Sequence, residues 1–255
     1  MENHPLDPGG NRAEKDTVVP ENSGAVEKEG GGVEGREAKD RLYEQFARAA
    51  KATANPKRIE LLELLAQGEH SVDALARATG MGVTNTSSHL QVLRQARLVE
   101  TRKDGTKVFY RLAGDEVAAF VVALRDLARS RLAEVDQVVR DYFVARDELE
   151  PVDRAELVER ANDGKVVILD VRPADEFAAG HIPGALSVPL DQLDGVLARL
   201  PKRAKIVAYC RGPYCVLAPQ AVQRLRADGF DARRLADGMP EWRLAGLPGA
   251  GGEET

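Results

Sequence analysis

The amino-acid sequence predicts two folded domains, a mainly α-helical domain with a β-hairpin followed by an α/β domain with a central parallel sheet. The chain has 255 residues, which is more than one average domain needs. In the first half, apolar residues recur at steps of three and four, as they do in amphipathic helices. Beyond Pro151, short buried-strand patterns alternate with helical ones, which is typical of a parallel sheet flanked by helices.

Composition limits the class of protein. Two cysteines, Cys210 and Cys215, are too few for a secreted disulfide scaffold. No apolar run approaches the roughly 18 residues that a membrane span needs, and the N-terminus lacks the segments of a secretory signal. We therefore expect a cytoplasmic protein. The net charge is −5, yet residues 37–112 hold thirteen basic and nine acidic side chains, which is compatible with local attraction to phosphates.

The two ends of the chain lack apolar periodicity. Residues 1–36 are rich in Gly, Glu, Asn and Pro, so we predict a disordered acidic tail there. Residues 251–255 are predicted to be a second, short tail. Between the tails, we expect one domain at 37–147 and the other at 148–250.

The first domain is predicted to contain helices and then a hairpin. Helical periodicity starts near Glu37, and Asn55 followed by proline is a strong start signal for a second helix. Ser71 is the expected N-cap of a short third helix that ends at Gly80. The later elements are a fourth helix at Val83–Gln95, strands at Leu98–Arg102 and Lys107–Leu112 joined through Asp104-Gly105, and one long helix from Asp115 to about Arg146.

This order of elements is that of a winged helix-turn-helix, whose second motif helix enters the DNA major groove while the hairpin reaches phosphates. We expect Leu75 and Ala78 of the third helix, and Val83, Leu90 and Leu93 of the fourth, to face the core. The residues then expected to contact an operator are Thr84, Asn85, Ser88, His89 and Gln91 on the helix and Arg102, Lys103, Lys107 and Arg111 on the wing.

Three segments carry a family resemblance. They are Asn55-Pro56-Lys57-Arg58-Ile59, Ser87-Ser88-His89-Leu90-Gln91-Val92-Leu93 and Val108-Phe109-Tyr110-Arg111-Leu112. Residues 38–145 resemble the ArsR/SmtB family of bacterial repressors. The resemblance implies a homodimer formed by the first and fifth helices, which fits the unusual length of the fifth helix. Arg97 departs from the family, which usually has glycine there.

Many members of that family sense metals, but this sequence lacks their ligands. Ser71 and Asp73 stand where the resemblance would place a cysteine pair, and the fifth helix has no histidine. His70 and His89 have no ligand-type partners at suitable spacing, so a core or solvent-facing role is expected for both. We predict no metal site and no cofactor.

The second domain is predicted to be an open α/β sheet. Cys210 directly follows a buried strand and precedes a helix, so loop amides and the helix N-terminus would favour its thiolate. From position alone, Cys210 could equally be a small apolar residue at a strand end. The predicted helices are Arg154–Ala161, Asp175–Ala179, Gln192–Leu200, Val216–Ala227 and one around Trp242, and the predicted strands are Val166–Leu169, Ile206–Tyr209 and Ala232–Leu235.

Three ordered motifs resemble the rhodanese family. They are Leu169-Asp170-Val171-Arg172 with Gly180-His181-Ile182-Pro183-Gly184-Ala185, then Tyr209-Cys210, then Asp237-Gly238-Met239 with Trp242. The resemblance implies that Cys210 is the catalytic cysteine, which takes sulfane sulfur from thiosulfate or a persulfide and passes it to a thiol or cyanide. It implies an active-site loop of Arg211, Gly212, Pro213 and Tyr214, and structural roles for Asp170, Arg172 and His181.

Cys215 distinguishes this loop from common rhodanese patterns. A second thiol five residues after Cys210 could resolve a persulfide into a disulfide or polysulfide. Alternatively, Cys215 only packs at the start of the helix. Val216 stands where the related phosphatase and arsenate-reductase branch has arginine, so oxyanion chemistry of that kind is not expected.

Together these observations predict a DNA-binding transcriptional regulator, expected to be a repressor, whose rhodanese-like domain senses or transfers sulfane sulfur through a Cys210 persulfide. Its expected partners are a double-stranded DNA operator, a second copy of the chain, a sulfane-sulfur donor and a thiol acceptor. Two alternatives stay open. The chain could be primarily a thiosulfate or persulfide sulfurtransferase, or the rhodanese-like domain could be a non-catalytic interaction module.

Overall fold

The computed structural model describes residues 30–144, 151–162, 166–201 and 203–251. The chain divides into two compact units, Met1–Glu44 and Gln45–Thr255. The described residues of the first unit are helical and belong to α1, which runs Gly30–Thr53. No helix within the described ranges combines the length and apolar character that crossing a bilayer requires.

Helix α1 begins earlier than the predicted start near Glu37, so the predicted tail extends too far into the chain. The residues from 33 to 40 include Glu, Arg, Ala and Lys, which extend an existing helix at little cost. Arg36 and Asp40 also form an exposed i,i+4 ion pair. The remainder of the predicted tails, residues 1–29 and 252–255, lies outside the described residues.

A winged helix follows α1 and confirms the predicted fold. Its small antiparallel sheet has the order β1-β3-β2. The core is formed mainly by leucines of α2 together with Leu90, Leu93, Tyr110 and Val117. The elements are α2 Pro56–Leu65, β1 His70–Ser71, α3 Val72–Thr79, α4 Val83–Gln95, β2 Val99–Asp104, β3 Lys107–Leu112, α5 Asp115–Arg131 and α6 Ala133–Val139.

The predicted start and stop signals of these helices are confirmed. The Asn55 side chain accepts hydrogen bonds from the backbone amides of Lys57 and Arg58, at 3.0 and 3.2 Å. Ser71 Oγ accepts from the Ala74 amide at 3.3 Å. Gly80 ends α3 in the left-handed region, with φ 66°. Strand β1 was not predicted, because two residues are too few to show a strand pattern.

The prediction of one long helix after the wing is wrong. Leu132 has extended backbone, with φ −111° and ψ 106°, and separates α5 from α6. Most side chains from Asp126 to Glu134 are exposed, so little tertiary contact holds the backbone helical there. The spacing of apolar residues predicts which face of a helix is buried, but it does not show where the helix is interrupted. A π-helical turn follows at Arg140–Val144, and the predicted end at Arg146 lies outside the described residues.

Two predicted core positions of the helix-turn-helix are also wrong. Val83 is 50% exposed and Ala78 is exposed. Thr86 is buried in place of Val83, and its hydroxyl donates to the Gly82 carbonyl at 3.1 Å. Because that hydrogen bond satisfies the hydroxyl, threonine can occupy a core position that the apolar pattern assigned to valine.

The C-terminal half is the predicted α/β domain. Its parallel sheet has the strand order β5-β4-β6-β7. Strand β5 was not predicted, and the helix predicted at Gln192–Leu200 is a single turn followed by a 3₁₀ turn at Leu197–Arg199. The elements are α7 Arg154–Asn162, β4 Val166–Asp170, α8 Ala174–Ala179, β5 Leu186–Ser187, α9 Leu193–Val196, β6 Lys205–Tyr209, α10 Leu217–Ala227, β7 Asp231–Arg234 and α11 Met239–Leu244.

Alternation along the central strand β6 places Cys210. Ile206 and Ala208 face the core beneath α10, whereas Val207 and Tyr209 face the opposite core, which contains Leu157 and Trp242. Cys210 continues this alternation and points into the α10 side of the sheet.

Candidate functional site

The loop from Cys210 to Cys215 joins β6 to α10. It turns tightly, because the Cys215 amide donates to the Gly212 carbonyl at 3.1 Å. Gly238, just before α11, lies against the peptide that joins Arg211 to Gly212, and a Cβ at Gly238 would overlap that peptide. The loop is therefore supported from behind by a backbone contact that only glycine allows.

Cys210 is buried in this loop, with 1% of its surface exposed. Its thiol lies 3.7 Å from the carbonyl oxygen of Cys215 and 4.0 Å from that of Gly212. Burial raises the pKa of Cys210 well above its ordinary value, and the hydrogen bond to the Cys215 sulfur acts in the same direction. The expectation that the loop favours the Cys210 thiolate is therefore wrong, because desolvation outweighs the loop amides.

Cys215 has the opposite electrostatic environment. A hydrogen bond from the Cys210 thiol lowers the pKa of Cys215 to about 7, assisted by the backbone amides of Arg211 and Leu217 and by the Arg211 guanidinium, against the effect of burial. The residue as a whole is partly buried. Cys215 is thus the more readily ionised thiol of this pair.

Arg211 is held by a carboxylate behind the loop. Its guanidinium forms a bidentate ion pair with Glu176, with N–O distances of 2.5 to 3.0 Å. The Glu176 side chain is buried, so the pair is shielded from water. This ion pair fixes the first residue after Cys210 to helix α8.

Arg172 is a buried arginine near the Cys210–Cys215 loop. Arg172 forms a bidentate pair with Asp170, and both side chains are fully buried. Its Nη2 also donates to the Gly180 carbonyl at 2.7 Å. His181 stacks on Phe177 with ring centroids 3.7 Å apart. These contacts join strand ends to loops, in keeping with the structural roles expected for Asp170, Arg172 and His181.

Gln67, in the turn after α2, links the winged helix to this loop. Its Oε1 accepts a hydrogen bond from Arg172 Nη1 at 3.0 Å, and its Nε2 donates to the Arg211 carbonyl at 3.2 Å. The side chain is 1% exposed. The next residue, Gly68, would bring a Cβ to 2.8 Å from Ala179 Cβ. The turn therefore makes close contact with the α/β domain.

A cavity of about 370 Å³ lies between the loop and the winged helix. Cys215 lines it, whereas Cys210 is not among its lining residues. Arg125 of α5 crosses the cavity to Glu241 of α11, with Nη2 and Oε1 2.6 Å apart. Arg211, Gly212 and Tyr214 of the predicted loop also line this cavity, and Pro213 lines a neighbouring one.

The α4 side chains that are predicted to contact DNA lie on the outer face of the helix. Thr84, Asn85, Ser88 and Gln91 are exposed, and His89 is half-buried. The Gln91 amide donates to the hydroxyl of buried Tyr110 at 3.3 Å, which ties it to the wing.

The wing carries exposed basic side chains. Lys103 and Lys107 are exposed at its tip, where Gly105 turns the hairpin with φ 57°. Arg102 forms an ion pair with Glu69, with a closest N–O distance of 2.5 Å, and Arg111 pairs with Glu100. These two arginines would have to exchange a carboxylate for a phosphate on binding DNA.

His70 is buried at the junction between the two domains. It is 8% exposed, and burial lowers its pKa while Glu176 and Asp175 oppose that shift. Its Nε2 has no hydrogen-bond partner among the described residues. No group of three or more His, Cys, Asp or Glu side chains suited to a metal ion occurs within the described ranges.

The sequence pattern did not single out the residues that the winged helix contributes to this site. Glu63, Gln67 and Arg125 come from α2, the turn after it and α5, and Glu241 comes from α11. Polar residues on amphipathic helices are ordinarily solvent-exposed, so the pattern gave no signal that the second domain covers them.

Two family models match the chain. Residues 55–101 match the model described as a bacterial regulatory protein of the arsR family, and residues 153–245 match the rhodanese-like domain. These ranges fall on the winged helix and on the α/β domain.

The chain is also similar to individual proteins. The HTH-type transcriptional regulator Rv0324 of Mycobacterium tuberculosis is 47% identical over 207 residues, which cover 81% of this chain and 91% of that protein. The HTH-type transcriptional regulator KmtR of the same organism is 44% identical over 81 residues, 32% of this chain and 59% of that protein. A solution structure of the homodimeric winged helix-turn-helix DNA-binding domain of Mb0332 from Mycobacterium bovis is 46% identical, covers 37% of this chain and 87% of that chain, and has a TM-score of 0.36.

The match to a full-length regulator extends through both domains. The protein is thus a transcriptional regulator with a DNA-binding winged helix, and it belongs to the arsR family of bacterial regulatory proteins, with a rhodanese-like domain following the winged helix.

Proposed function

We propose that this regulator is a homodimeric, cytoplasmic repressor whose rhodanese-like domain senses sulfane sulfur through a persulfide on Cys210, so that the sulfur state sets the affinity for an operator. The observation that carries the proposal is the hydrogen bond from Gln67 to the Arg211 carbonyl. It joins the cysteine loop directly to the DNA-binding domain. The proposed boundary between the two domains lies between residues 147 and 148.

The hydrogen bond from Gln67 to the Arg211 carbonyl would pass a shift of the cysteine loop to the DNA-binding helix α4. Gln67 lies in the turn after α2, whose leucines share one core with Leu90 and Leu93 of helix α4. A larger sulfur species beside the loop would displace Arg211 and the turn at Gln67. Because a close-packed core transmits such shifts, the orientation of α4 would change with the loop.

The proposed DNA contacts follow from exposure. The polar side chains at the start of α4 would read base edges, and Lys103 and Lys107 would bind flanking phosphates. A homodimer would present two such helices to one operator. Exposed apolar side chains that a partner copy would bury occur on α1 and α5, at Leu42, Tyr43, Phe46, Phe120 and Leu127.

The test measures DNA affinity and sulfur content together. A duplex selected from a random library by the protein would be titrated before and after treatment with sodium tetrasulfide. We expect the Kd to change at least tenfold and Cys210→Ser to abolish the change. Equal shifts in the wild type and in Cys210→Ser would contradict the proposal. Ser88→Ala, which alters the DNA face only, is a control expected to change the Kd and keep the response.

A sulfurtransferase is the second candidate function. The observation that favours it is the pKa of about 7 at Cys215, which supplies a thiolate at neutral pH. Steady turnover of thiosulfate with cyanide, without any effect of the donor on DNA binding, would select this function. Failure of both cysteines to take up sulfur would favour a non-catalytic interaction module.

A further inference from the structure

We propose that the cavity between the winged helix and the cysteine loop is the donor-binding site, that its ligand is a small uncharged organic polysulfide, and that Cys215 attacks this donor before Cys210. The proposal rests on the proposed function, because it names the donor class and the first step at the same sulfur site. The winged helix thereby becomes one wall of the sulfur-binding site.

The size and lining of the cavity suit a small apolar molecule. Its volume of about 370 Å³ lies at the lower end of the range usual for small-molecule sites, roughly 300–1,000 Å³. Both domains contribute apolar surface. The apolar lining residues are Leu64, Ala66, Ala78, Ala118, Val121 and Val122 from the winged helix and Val216, Leu217 and Pro240 from the α/β domain.

The charges of the cavity do not suit a dianion such as thiosulfate. Both guanidinium groups in the lining are already paired with carboxylates, Arg125 with Glu241 at 2.6 Å and Arg211 with Glu176 at 2.5 Å. Glu63 also lines the cavity, and its pKa is raised mainly by burial. A dianion would therefore face carboxylates without an unpaired lining cation, whereas an uncharged polysulfide would lose little hydration.

Position decides which cysteine meets the donor. Cys215 lines the cavity and is half-buried, whereas Cys210 is enclosed behind it with 1% exposure. The lowered pKa of Cys215 agrees with this order, because the thiolate is the attacking form. Cys210 is hydrogen-bonded to Cys215, so we infer that sulfur reaches it through Cys215.

The chemistry balances without a further oxidant. The Cys215 thiolate attacks the central sulfur of an organic trisulfide R–S–S–S–R, and a thiolate R–S⁻ leaves. That thiolate attacks the remaining R-bearing sulfur and departs as the disulfide R–S–S–R, which leaves a persulfide on Cys215. The Cys215 persulfide anion takes the proton of the Cys210 thiol. The resulting Cys210 thiolate attacks the outer sulfur of the protonated persulfide, the Cys215 thiolate leaves, and the sulfane sulfur now lies on Cys210.

The experiment follows sulfur by mass spectrometry on the full-length protein. Dimethyl trisulfide and thiosulfate are compared as donors at equal concentration, with samples quenched by alkylation over time. In the wild type we expect added sulfur first on Cys215 and later on Cys210, at least tenfold faster from dimethyl trisulfide. Cys210→Ser should still gain sulfur on Cys215, and Cys215→Ser should slow labelling of Cys210 at least tenfold.

A cavity-filling variant tests the binding site. Val216→Trp places an indole in the cavity from a 40% exposed position and should slow sulfur uptake from dimethyl trisulfide at least tenfold. Leu186→Trp, also on an exposed residue of the α/β domain but outside the lining, should leave uptake unchanged. A melting curve for each variant tests whether it folds. If a variant does not fold, the order of labelling in the wild type still tests the proposal.

The outcomes separate this proposal from the proposed function. Sulfur appearing first on Cys210, faster uptake from thiosulfate, or wild-type uptake in Val216→Trp would overturn the proposal. Measuring DNA affinity on the same samples tests the proposed function, in which the sulfur state sets the affinity for the operator. If Cys210 is labelled first while the Kd still shifts, the proposed function stands and this inference fails. If Cys215 is labelled first and the Kd is unchanged, the reverse holds.

Discussion

Gln67 Oε1 accepts a hydrogen bond from Arg172 Nη1 at 3.0 Å, although the two residues belong to different domains and lie 105 positions apart. Both side chains are buried. The same amide also donates to the Arg211 carbonyl, directly after Cys210. One side chain of the winged helix therefore satisfies two polar groups of the rhodanese-like domain.

Replacing Gln67 is expected to weaken the structure. Gln67→Ala leaves Arg172 Nη1 and the Arg211 carbonyl without this partner, and an unsatisfied buried group costs about 1–3 kcal/mol. We expect the free energy of unfolding in urea to fall by about that amount. Gln137→Ala, on an exposed residue of α6, is the matched control and should change it by less than about 0.5 kcal/mol. Equal stability of the two variants would contradict the assigned role of Gln67.

The pH dependence of alkylation is expected to identify Cys215 as the reactive thiol. Its rate with iodoacetamide should rise as the thiol ionises and reach half its maximum near pH 7, as its pKa of about 7 requires. Cys210 should stay unlabelled under the same conditions. Cys210→Ala removes the hydrogen bond that contributes most to the lowered pKa, so the midpoint should move to higher pH. A midpoint unchanged by this substitution would show that Cys210 does not stabilise the thiolate.

Gly238 is expected to tolerate no side chain. In Gly238→Ala the Cβ would overlap the backbone between Arg211 and Gly212, so the loop or α11 must move. We expect a loss of roughly 1–3 kcal/mol in unfolding free energy, as for other overpacked sites. We also expect an altered alkylation rate at Cys215. Gly195→Ala, where a Cβ meets nothing within 4 Å, is the control and should leave both quantities near their wild-type values.

His70 is expected to make stability depend on pH below neutrality. Burial lowers its pKa from 6.5 in the folded protein, while Glu176 and Asp175 raise it less and Arg211 lowers it further. The unfolded chain therefore binds the proton first, and the contribution of neutral His70, complete above pH 6.5, is lost as the pH falls toward the folded pKa. Denaturant midpoints between pH 7.5 and 5.5 should fall more in the wild type than in His70→Gln. Parallel curves would exclude this contribution.

Arg97 adopts the left-handed conformation that the family usually assigns to glycine, with φ 60°. A non-glycine residue there carries a strain of about 1 kcal/mol. Arg97→Gly should therefore raise the unfolding free energy by up to about 1 kcal/mol in urea titrations. Arg94→Gly, in the last turn of α4, should lower it, because glycine weakens a helix. A destabilised Arg97→Gly would show that its side-chain contacts outweigh the strain.

The elements that the sequence predicted well are those whose signal is local. Asn55 and Ser71 cap their helices because the capping atom lies two or three residues from the amides it serves. The hairpin turns at Gly105 for the same reason. The break at Leu132 was missed, since apolar spacing on both sides of it remains helical although few contacts hold the backbone there.

For the candidate site, too, the sequence predicted the local features and missed those that depend on tertiary contacts. The sequence by itself determined that two cysteines, Cys210 and Cys215, flank a strand-to-helix loop, because β6 and α10 are coded by neighbouring residues. Only the tertiary structure decided which of them ionises more readily and which is buried, and that Gln67, Arg125 and Glu241 lie near them. The pKa of a thiol depends on desolvation and on charges within a few ångströms, and those come from residues far away in the chain.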